Sequence, residues 1–186
     1  MNQLIEFETR RLRLRQWREA DKEPFAALNA DPEVMEYFPA TLGRSESNAM
    51  AEKCRALIAE RGWGFWATEL LATGEFIGFV GLHRPAHHFP FAPCVEIGWR
   101  LARPYWGLGY ATEAALGALA VGFEQLGLAE IVSFTYVGNG RSRAVMERLG
   151  MKPDNNTFDH PGLAEGHRLR EHCLYRLPRE LWCPSH

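Results

Sequence analysis

A glycine-containing segment in the middle of the chain has the residue types needed to bind an anion. It lies between a predicted strand and a long predicted helix, and it reads Trp106-Gly107-Leu108-Gly109-Tyr110-Ala111-Thr112. Backbone N–H groups in the first turn of a helix have no partner inside the helix, and the helix dipole adds a partial positive charge there. Glycine lets a ligand approach the backbone closely. The segment therefore predicts a site that holds a diphosphate through main-chain amides.

Two glycines after a strand also fit a plain tight turn, so the spacing has to be compared with known phosphate-binding motifs. A dinucleotide-binding fingerprint needs Gly-x-Gly-x-x-Gly and an acidic residue about 20 positions later, and a P-loop needs Gly-Lys followed by Ser or Thr. The sequence contains neither pattern at this position. These two classes of nucleotide-binding protein are therefore excluded.

A second polar segment follows the next predicted strand. Asn139-Gly140-Arg141-Ser142 precedes Val145-Met146-Glu147-Arg148-Leu149-Gly150-Met151. Taken singly, Asn139 and Ser142 fit a turn residue and a helix N-cap equally well. Their position after the glycine-containing segment favours a role in ligand binding.

A candidate general base lies in a predicted core strand. Glu96 is one of the few acidic residues in such a strand, where burial would raise the pKa of its carboxyl group. A water molecule could relay a proton to it. The alternative is a carboxylate paired with an arginine, which would have a structural role only.

Histidines supply a further set of candidates. The sequence Asp159-His160-Pro161 could bind a cationic amine or act as a base, and it could equally form a surface turn. Upstream, His83, His87 and His88 have a spacing that matches no zinc-binding pattern. We therefore predict no metal site.

Hydrophobic periodicity indicates the elements that position these residues. The pattern predicts helices over residues 18–29, 34–38, 45–61, 109–126 and 142–149, of which 109–126 is expected to be the longest. It predicts strands over residues 10–15, 63–70, 76–82, 94–101, 131–137 and 171–177. In residues 10–15 two leucines alternate with arginines, which favours a half-buried strand with a solvated basic face.

Composition limits the class of protein. The 186 residues fit a single domain over 1–186, and 46% hydrophobic and 24% charged residues are typical of a globular chain. A net charge of −2 argues against a nucleic-acid-binding domain, and no apolar run is long enough to span a membrane. We expect a cytoplasmic protein, a homodimer being left open, with four free thiols: Cys54, Cys94, Cys173 and Cys183.

The two polar segments resemble motifs of the GNAT superfamily of N-acetyltransferases. Gly109 and Ala111 fit its acetyl-CoA motif, which is Gln or Arg, two residues, Gly, one residue, then Gly or Ala. Residues 103–114 are similar to the form found in the ribosomal-protein N-acetyltransferase branch, in which Trp106 takes the place of the Gln or Arg. The likeness extends from Phe7 to about Met151.

The resemblance implies an α/β (α+β) GNAT fold and a set of binding residues. The expected architecture is a mixed, mostly antiparallel, twisted sheet of about six to seven strands flanked by about four helices. A splayed strand would direct a backbone amide within residues 99–101 to the thioester carbonyl. Leu108 stands where many members have a basic residue, which shifts phosphate binding onto the backbone. The implied acetyl-CoA-binding residues are Trp99, Leu101, Trp106, Gly107, Leu108, Gly109, Tyr110, Ala111, Thr112, Asn139 and Ser142.

The expected reaction is direct transfer of an acetyl group from acetyl-CoA to a primary amine, on a protein N-terminus or on a small molecule. The resemblance places acidic residues on the strand of Glu96 in several members. Asp159 and His160, which lie where the resemblance is weakest, would contact the amine substrate. Many members use a tyrosine as general acid where this chain has Met146, so Ser142 is the first choice for that role and Tyr175 the second. Alternatively no acid is needed. A catalytically inactive acyl-CoA-binding regulatory module is the second functional hypothesis.

Overall fold

In the computed structural model, which describes residues 3–184, the chain folds into eight strands and four helices. The strands are β1 (Phe7–Glu8), β2 (Leu12–Arg15), β3 (Phe65–Leu70), β4 (Phe76–His83), β5 (Glu96–Leu101), β6 (Glu130–Tyr136), β7 (Lys152–Asp159) and β8 (Glu171–Pro178). The helices are α1 (Lys22–Ala30), α2 (Arg44–Arg61), α3 (Tyr110–Ala120) and α4 (Gly140–Arg148). A π-helical turn, Val121–Gln125, continues α3.

All eight strands belong to one sheet in the order β1-β2-β3-β4-β5-β6-β8-β7. Neighbours are antiparallel except β5 and β6, which are parallel. The predicted mixed, mostly antiparallel sheet with four helices is confirmed, although the strand count is higher than expected. The two additional strands are β1, which has only two residues, and β7, an edge strand whose side chains are mostly exposed. Neither has the apolar alternation that identifies a strand in a sequence.

Two helix predictions need correction. Residues 34–38 form successive turns, with hydrogen bonds from Met35 N–H to the Asp31 carbonyl and from Phe38 N–H to the Met35 carbonyl (both 3.0 Å). A segment this short cannot offset the cost of helix nucleation. The longest helix is α2, with 18 residues, whereas α3 has 11 and its π-helical extension 5.

The helices cover opposite faces of the sheet. On one face Phe25 of α1 packs edge-on against Phe79 of β4, with ring centroids 6.0 Å apart. On the other face α3 buries Ala114, Ala115 and Ala118 completely. The turn that continues α3 lies so close to the sheet that a Cβ atom on Gly122 would come within 2.6 Å of Ile131 Cδ1. Small residues therefore let this helix lie directly on the central strands.

The sheet opens in its middle. Strands β5 and β6 pair at Glu96 and Val132, where Val132 N–H donates to the Val95 carbonyl at 2.9 Å. One residue farther, the Ser133 hydroxyl donates to the Ile97 carbonyl at 2.9 Å. No further backbone pair joins these two strands within residues 3–184. The gap exposes main-chain groups of β5 in the interior of the molecule.

The basic cluster of residues 10–15 contains β2, which is shorter than predicted and spans only Leu12–Arg15, and one of its arginines is buried. Arg15 was expected on the solvated face, yet it is only 3% exposed. Its guanidinium donates to both Asp21 carboxylate oxygens, at 2.8 and 2.9 Å, and to Glu69 Oε2 at 2.6 Å. Two buried carboxylates thus compensate one buried cation.

No helix among the described residues is both long and apolar enough to cross a bilayer.

Replacing this buried arginine should destabilise the fold strongly. We expect Arg15→Ala to lower the free energy of unfolding by about 3–5 kcal/mol, because the buried Asp21 would lose its counter-charge and Glu69 would keep only the more exposed Arg13 and Arg18. Arg13→Ala is the matched control: Arg13 also contacts Glu69 (3.1 Å), but its side chain is 42% exposed, so the loss of stability should be much smaller than for Arg15→Ala. Urea unfolding of both variants measures the difference, and equal losses would contradict this account.

Candidate active site

A continuous groove of about 1430 Å³ runs along the gap between β5 and β6. Ordinary small-molecule sites occupy roughly 300–1000 Å³, so this groove has room for a long ligand and a second molecule. Its wall includes every residue predicted to bind acetyl-CoA except Leu108, whose side chain is 52% exposed. The predicted binding residues are therefore brought together on one surface.

The glycine-containing turn at one end of the groove presents free amides. Gly107 and Gly109 have φ angles of 73° and 81°, in the left-handed region that favours glycine. Gly109 is the N-cap of α3, and Glu113 N–H donates to its carbonyl at 3.0 Å. The N–H groups of residues 110–112 consequently have no partner inside the helix. This geometry suits an anion at the helix N-terminus.

An ion pair from the other end of the chain holds this turn. Glu113 Oε1 accepts hydrogen bonds from the Thr9 hydroxyl (2.6 Å) and Arg11 N–H (2.7 Å), and Arg11 Nε donates to Oε2 at 2.6 Å. Arg11 Nη1 also donates to the Leu108 carbonyl at 3.0 Å, and its guanidinium lies 4.4 Å from the centroid of the Tyr110 ring. Burial alone would raise the pKa of Glu113, but these hydrogen bonds lower it, which keeps the carboxylate charged. Sequence reasoning missed this contact because the partners are far apart in the chain.

The second polar segment caps α4 beside the groove. Asn139 Oδ1 accepts from Ser142 N–H at 3.2 Å, while Asn139 Nδ2 donates to Thr135 Oγ1 (2.9 Å) and to Ser142 Oγ (3.2 Å). Asn139 therefore is the N-cap that the sequence also allowed, whereas Ser142 is the third residue of α4 and supplies the N–H that is capped. Because Ser142 Oγ accepts the amide proton, its own hydroxyl proton is available to a ligand in the groove.

The register of β5 decides which of its amides face the gap. In an antiparallel ladder, successive residues direct their N–H and C=O groups alternately to opposite sides. Ala102 N–H donates to the Ile77 carbonyl of the neighbouring β4 at 2.9 Å, which fixes the phase of this alternation. The amides of Trp99 and Leu101 consequently point into the gap. The Leu101 carbonyl already accepts a hydrogen bond from Trp106 Nε1 at 2.8 Å.

Glu96 lines the groove at the point where the two strands separate. Its carboxylate has no hydrogen-bond or ion-pair partner within the described part of the chain, so the arginine-paired alternative is not what the structure contains. Burial raises its pKa to about 8. His83 lies directly opposite on β4, and its pKa falls to about 4 through burial and through the charges of Lys53 and Arg61. The carboxyl group can therefore accept a proton near neutral pH.

Met146 stands where many members have a tyrosine as general acid, and Tyr175 is the second choice for that role; neither can protonate a ligand in the groove. Met146 is buried in α4, where it lines the groove but has no proton to donate. Tyr175 lies outside the groove wall: its hydroxyl donates to Glu147 Oε1 at 3.1 Å and accepts from Arg143 Nε at 3.3 Å. Ser142 is the remaining candidate from the sequence.

The structure places only one of the two predicted substrate-binding residues, His160 and not Asp159, in the groove. His160 lines the groove and forms a ring cluster with His87 and His172, at centroid distances of 5.5 and 4.9 Å. Burial and the two neighbouring histidines lower its pKa to about 4. Asp159 is mostly exposed and forms an ion pair with Arg170 at 3.2 Å, away from the groove wall. No group of three or more His, Cys, Asp or Glu side chains in residues 3–184 has the arrangement of a metal site.

Comparison with known proteins agrees with this geometry. Residues 11–152 match the acetyltransferase (GNAT) domain family. YkkB of Bacillus subtilis, an uncharacterized protein, is 32% identical over 154 residues, covering 81% of this chain and 87% of YkkB. The FsC-acetyl coenzyme A-N(2)-transacetylase of Aspergillus fumigatus is 32% identical over 169 residues, 83% of this chain and 68% of that enzyme.

A solved structure shares the whole architecture. RimJ of Mycobacterium smegmatis, in complex with CoA-disulfide, has a TM-score of 0.74 at 22% identity, over 94% of this chain and 87% of RimJ. The family match covers most of the chain and includes the glycine-containing turn, the open strand pair and the capped helix. The chain therefore belongs to the GNAT family of acetyltransferases, as an acetyl-CoA-dependent N-acetyltransferase.

Proposed function

We propose that this enzyme acetylates a primary amine, on a small molecule or a protein N-terminus, with Glu96 as the general base. The observation that carries the proposal is the position of this carboxyl group. It lies at the opening of the strand pair, beside the inward-facing amides of β5, and has no hydrogen-bond or ion-pair partner within residues 3–184. Its pKa of about 8 matches the working pH of a base that must take a proton from an ammonium group.

The groove fits acetyl-CoA along its length. The free amides of residues 110–112 and the two left-handed glycines suit the diphosphate. Asn139 and Ser142 would lie along the pantetheine arm, and the amides of Trp99 and Leu101 would face the thioester carbonyl. Leu108 adds no charge, so the backbone supplies most of the phosphate contacts.

Different residues of the groove have different roles in acetyl transfer. Acetyl-CoA supplies an activated acetyl group: the amine nitrogen bonds to the carbonyl carbon, the carbon–sulfur bond breaks, and the thiolate takes up a proton. Glu96, through a water molecule, accepts the proton that the ammonium group must lose before attack. The Trp99 and Leu101 amides stabilise negative charge on the carbonyl oxygen. The Ser142 hydroxyl donates a hydrogen bond to the sulfur, and a thiol with a pKa of about 8.5 needs no stronger acid.

Leu108 and Met146 favour the second hypothesis, a coenzyme A-binding module without turnover. A direct measurement distinguishes the two hypotheses. Free-thiol release from acetyl-CoA is measured in the presence of N-terminal peptides, aminoglycosides, polyamines and amino acids. Release with at least one amine supports the transferase. Tight acetyl-CoA binding with no release across this panel would support the module instead.

Replacing the proposed base should change the pH profile. In the wild type kcat/KM should rise with pH and level off above about 8, because Glu96 must be deprotonated. Glu96→Gln should lower kcat at pH 7 by roughly 10²–10⁴-fold, and its activity should recover at high pH as the amine deprotonates by itself. Steady-state rates from pH 6 to 10 test this, and an unchanged profile would exclude Glu96 as the base.

The stability of the fold should fall as pH rises, whereas the activity increases. Because the folded protein holds the Glu96 proton up to a pKa of about 8, this group's contribution is most favourable at acid pH and declines as pH rises from about 4 to about 8. Glu96→Gln should therefore resist urea at least as well as the wild type at pH 9. A variant that is both less active and less stable there would indicate a structural role.

Loss of the ion pair that holds the turn should weaken coenzyme A binding. We expect Glu113→Gln to raise the Kd for coenzyme A roughly threefold to tenfold, on the order of 1 kcal/mol, because Arg11 and Thr9 would hold the turn less firmly. Glu8→Gln is the matched control, since Glu8 forms an exposed ion pair with Arg13 at 2.8 Å outside the groove. Calorimetric titration measures both. Equal affinities for the two variants would refute the coupling.

A further inference from the structure

A second ionisable side chain of β5 lies on the same side of the strand as Glu96. Arg100 follows it by four residues, and side chains at even spacing along a strand share a face. Arg100 lines the groove and is only 8% exposed. Its Nη1 donates to Asn29 Oδ1 at 2.7 Å, and its guanidinium lies 4.0 Å from the centroid of the Phe38 ring and 5.4 Å from that of Phe79.

This buried cation has no counter-charge in the described part of the chain. No carboxylate of residues 3–184 forms an ion pair with it, and its Nε is buried without a hydrogen-bond partner. Burial lowers its pKa to about 10, which leaves it charged at neutral pH. Arg15 is similarly buried, but two carboxylates surround it. An uncompensated buried charge destabilises a fold, so Arg100 needs an explanation other than stability.

The surroundings of Arg100 suit an anionic ligand. The aromatic rings and α1 exclude water from the guanidinium, which strengthens any charge interaction there. A guanidinium matches a carboxylate through paired N–H donors. Lys53 lines the same groove and likewise has no carboxylate partner in the part of the chain described. Two cations that line the groove, Lys53 and Arg100, thus have no carboxylate partner within residues 3–184.

The groove continues from Glu96 to Arg100 along this face of β5. Gly98 is the intervening residue, and because it has no side chain the edge of the Phe65 ring can lie over it, where a Cβ atom would come within 3.2 Å of Phe65 Cε1. Four residues of a strand span about 13 Å between Cα atoms, which the two side chains shorten. A small molecule with an amine at one end and an anion at the other can lie along this surface.

We propose that the acceptor amine also has a carboxylate group, which Arg100 binds while Glu96 takes the proton from the amine. The proposal rests on the function proposed above, since it names the substrate class of the same site. It makes Arg100 a specificity-determining residue, and it favours amino acids or acidic peptides over polyamines. The acetyl group and its donor are unaffected.

Matched pairs of acceptors test this substrate class. The probes are amino acids with one to five carbon atoms between amine and carboxylate, each paired with its primary amide, which keeps the shape and removes the charge. With the wild type, kcat/KM for the best acid should exceed that for its amide at least tenfold. Equal values for acid and amide across the series would overturn the proposal.

Variants then assign the preference to one side chain. Arg100→Met should lower kcat/KM for the acid at least tenfold and leave the amide within about twofold, and Arg100→Lys should retain part of the preference. Arg55→Met, which removes an exposed cation paired with Glu52, should change neither value. Arg100→Met also removes the donor to the buried Asn29 Oδ1, so the unchanged kcat/KM for the amide is the evidence that the variant still folds. A preference for the acid that survives in Arg100→Met would assign recognition to another residue.

Binding without turnover separates this inference from the function on which it rests. The N-acetylated acid and the N-acetylated amide are titrated into protein saturated with coenzyme A. Wild type that binds only the acid, with binding lost in Arg100→Met, supports carboxylate recognition even if no amine releases thiol. Thiol release without any difference between acid and amide would retain the transferase and reject the role of Arg100.

Discussion

The active site depends on the short pairing between β5 and β6. Backbone amides in a sheet are normally satisfied by the neighbouring strand, and two strands that part after a single bridge leave several of them free. Everything else at the site follows from this opening. The groove runs along the opening between β5 and β6, and Glu96 lies where the two strands separate. The N-terminal ends of α3 and α4 lie close to this opening. Binding by main-chain groups requires rigid strands, which the antiparallel β4 and the packed α3 provide.

The site also depends on how the sheet separates charged groups. Arg15 and Arg100 are both buried, but Asp21 and Glu69 surround the first, whereas no carboxylate within residues 3–184 pairs with the second. One arginine therefore belongs to the stability of the fold. The other belongs to the groove, next to aromatic rings that hold it in place. Similar burial of the same residue type thus has two different meanings, which only the surrounding partners distinguish.

Much of the site could be predicted because its signals are local. Gly109 and Asn139 are recognised by turn and capping chemistry over a few residues, and Glu96 is conspicuous as a charge in an apolar strand. Arg100 gave no such signal, since an arginine in a strand normally lies on a solvated face. Strand β7 lacks an apolar face because it lies at the sheet edge, and the short segment 34–38 has hydrophobic residues without the length of a helix. These features depend on contacts that form only in the folded chain.

The contact between Arg11 and Glu113 joins residues 102 positions apart. The hairpin of β3 and β4 can form early, because its strands are adjacent in the chain and little loop entropy opposes their pairing. The glycine-containing turn is different, since it is held only after a loop of that length has closed. During synthesis β2 leaves the ribosome well before α3, so the contact between Arg11 and Glu113 cannot form until α3 has also been synthesised. Competence to bind the donor is accordingly a late event in the folding of this chain.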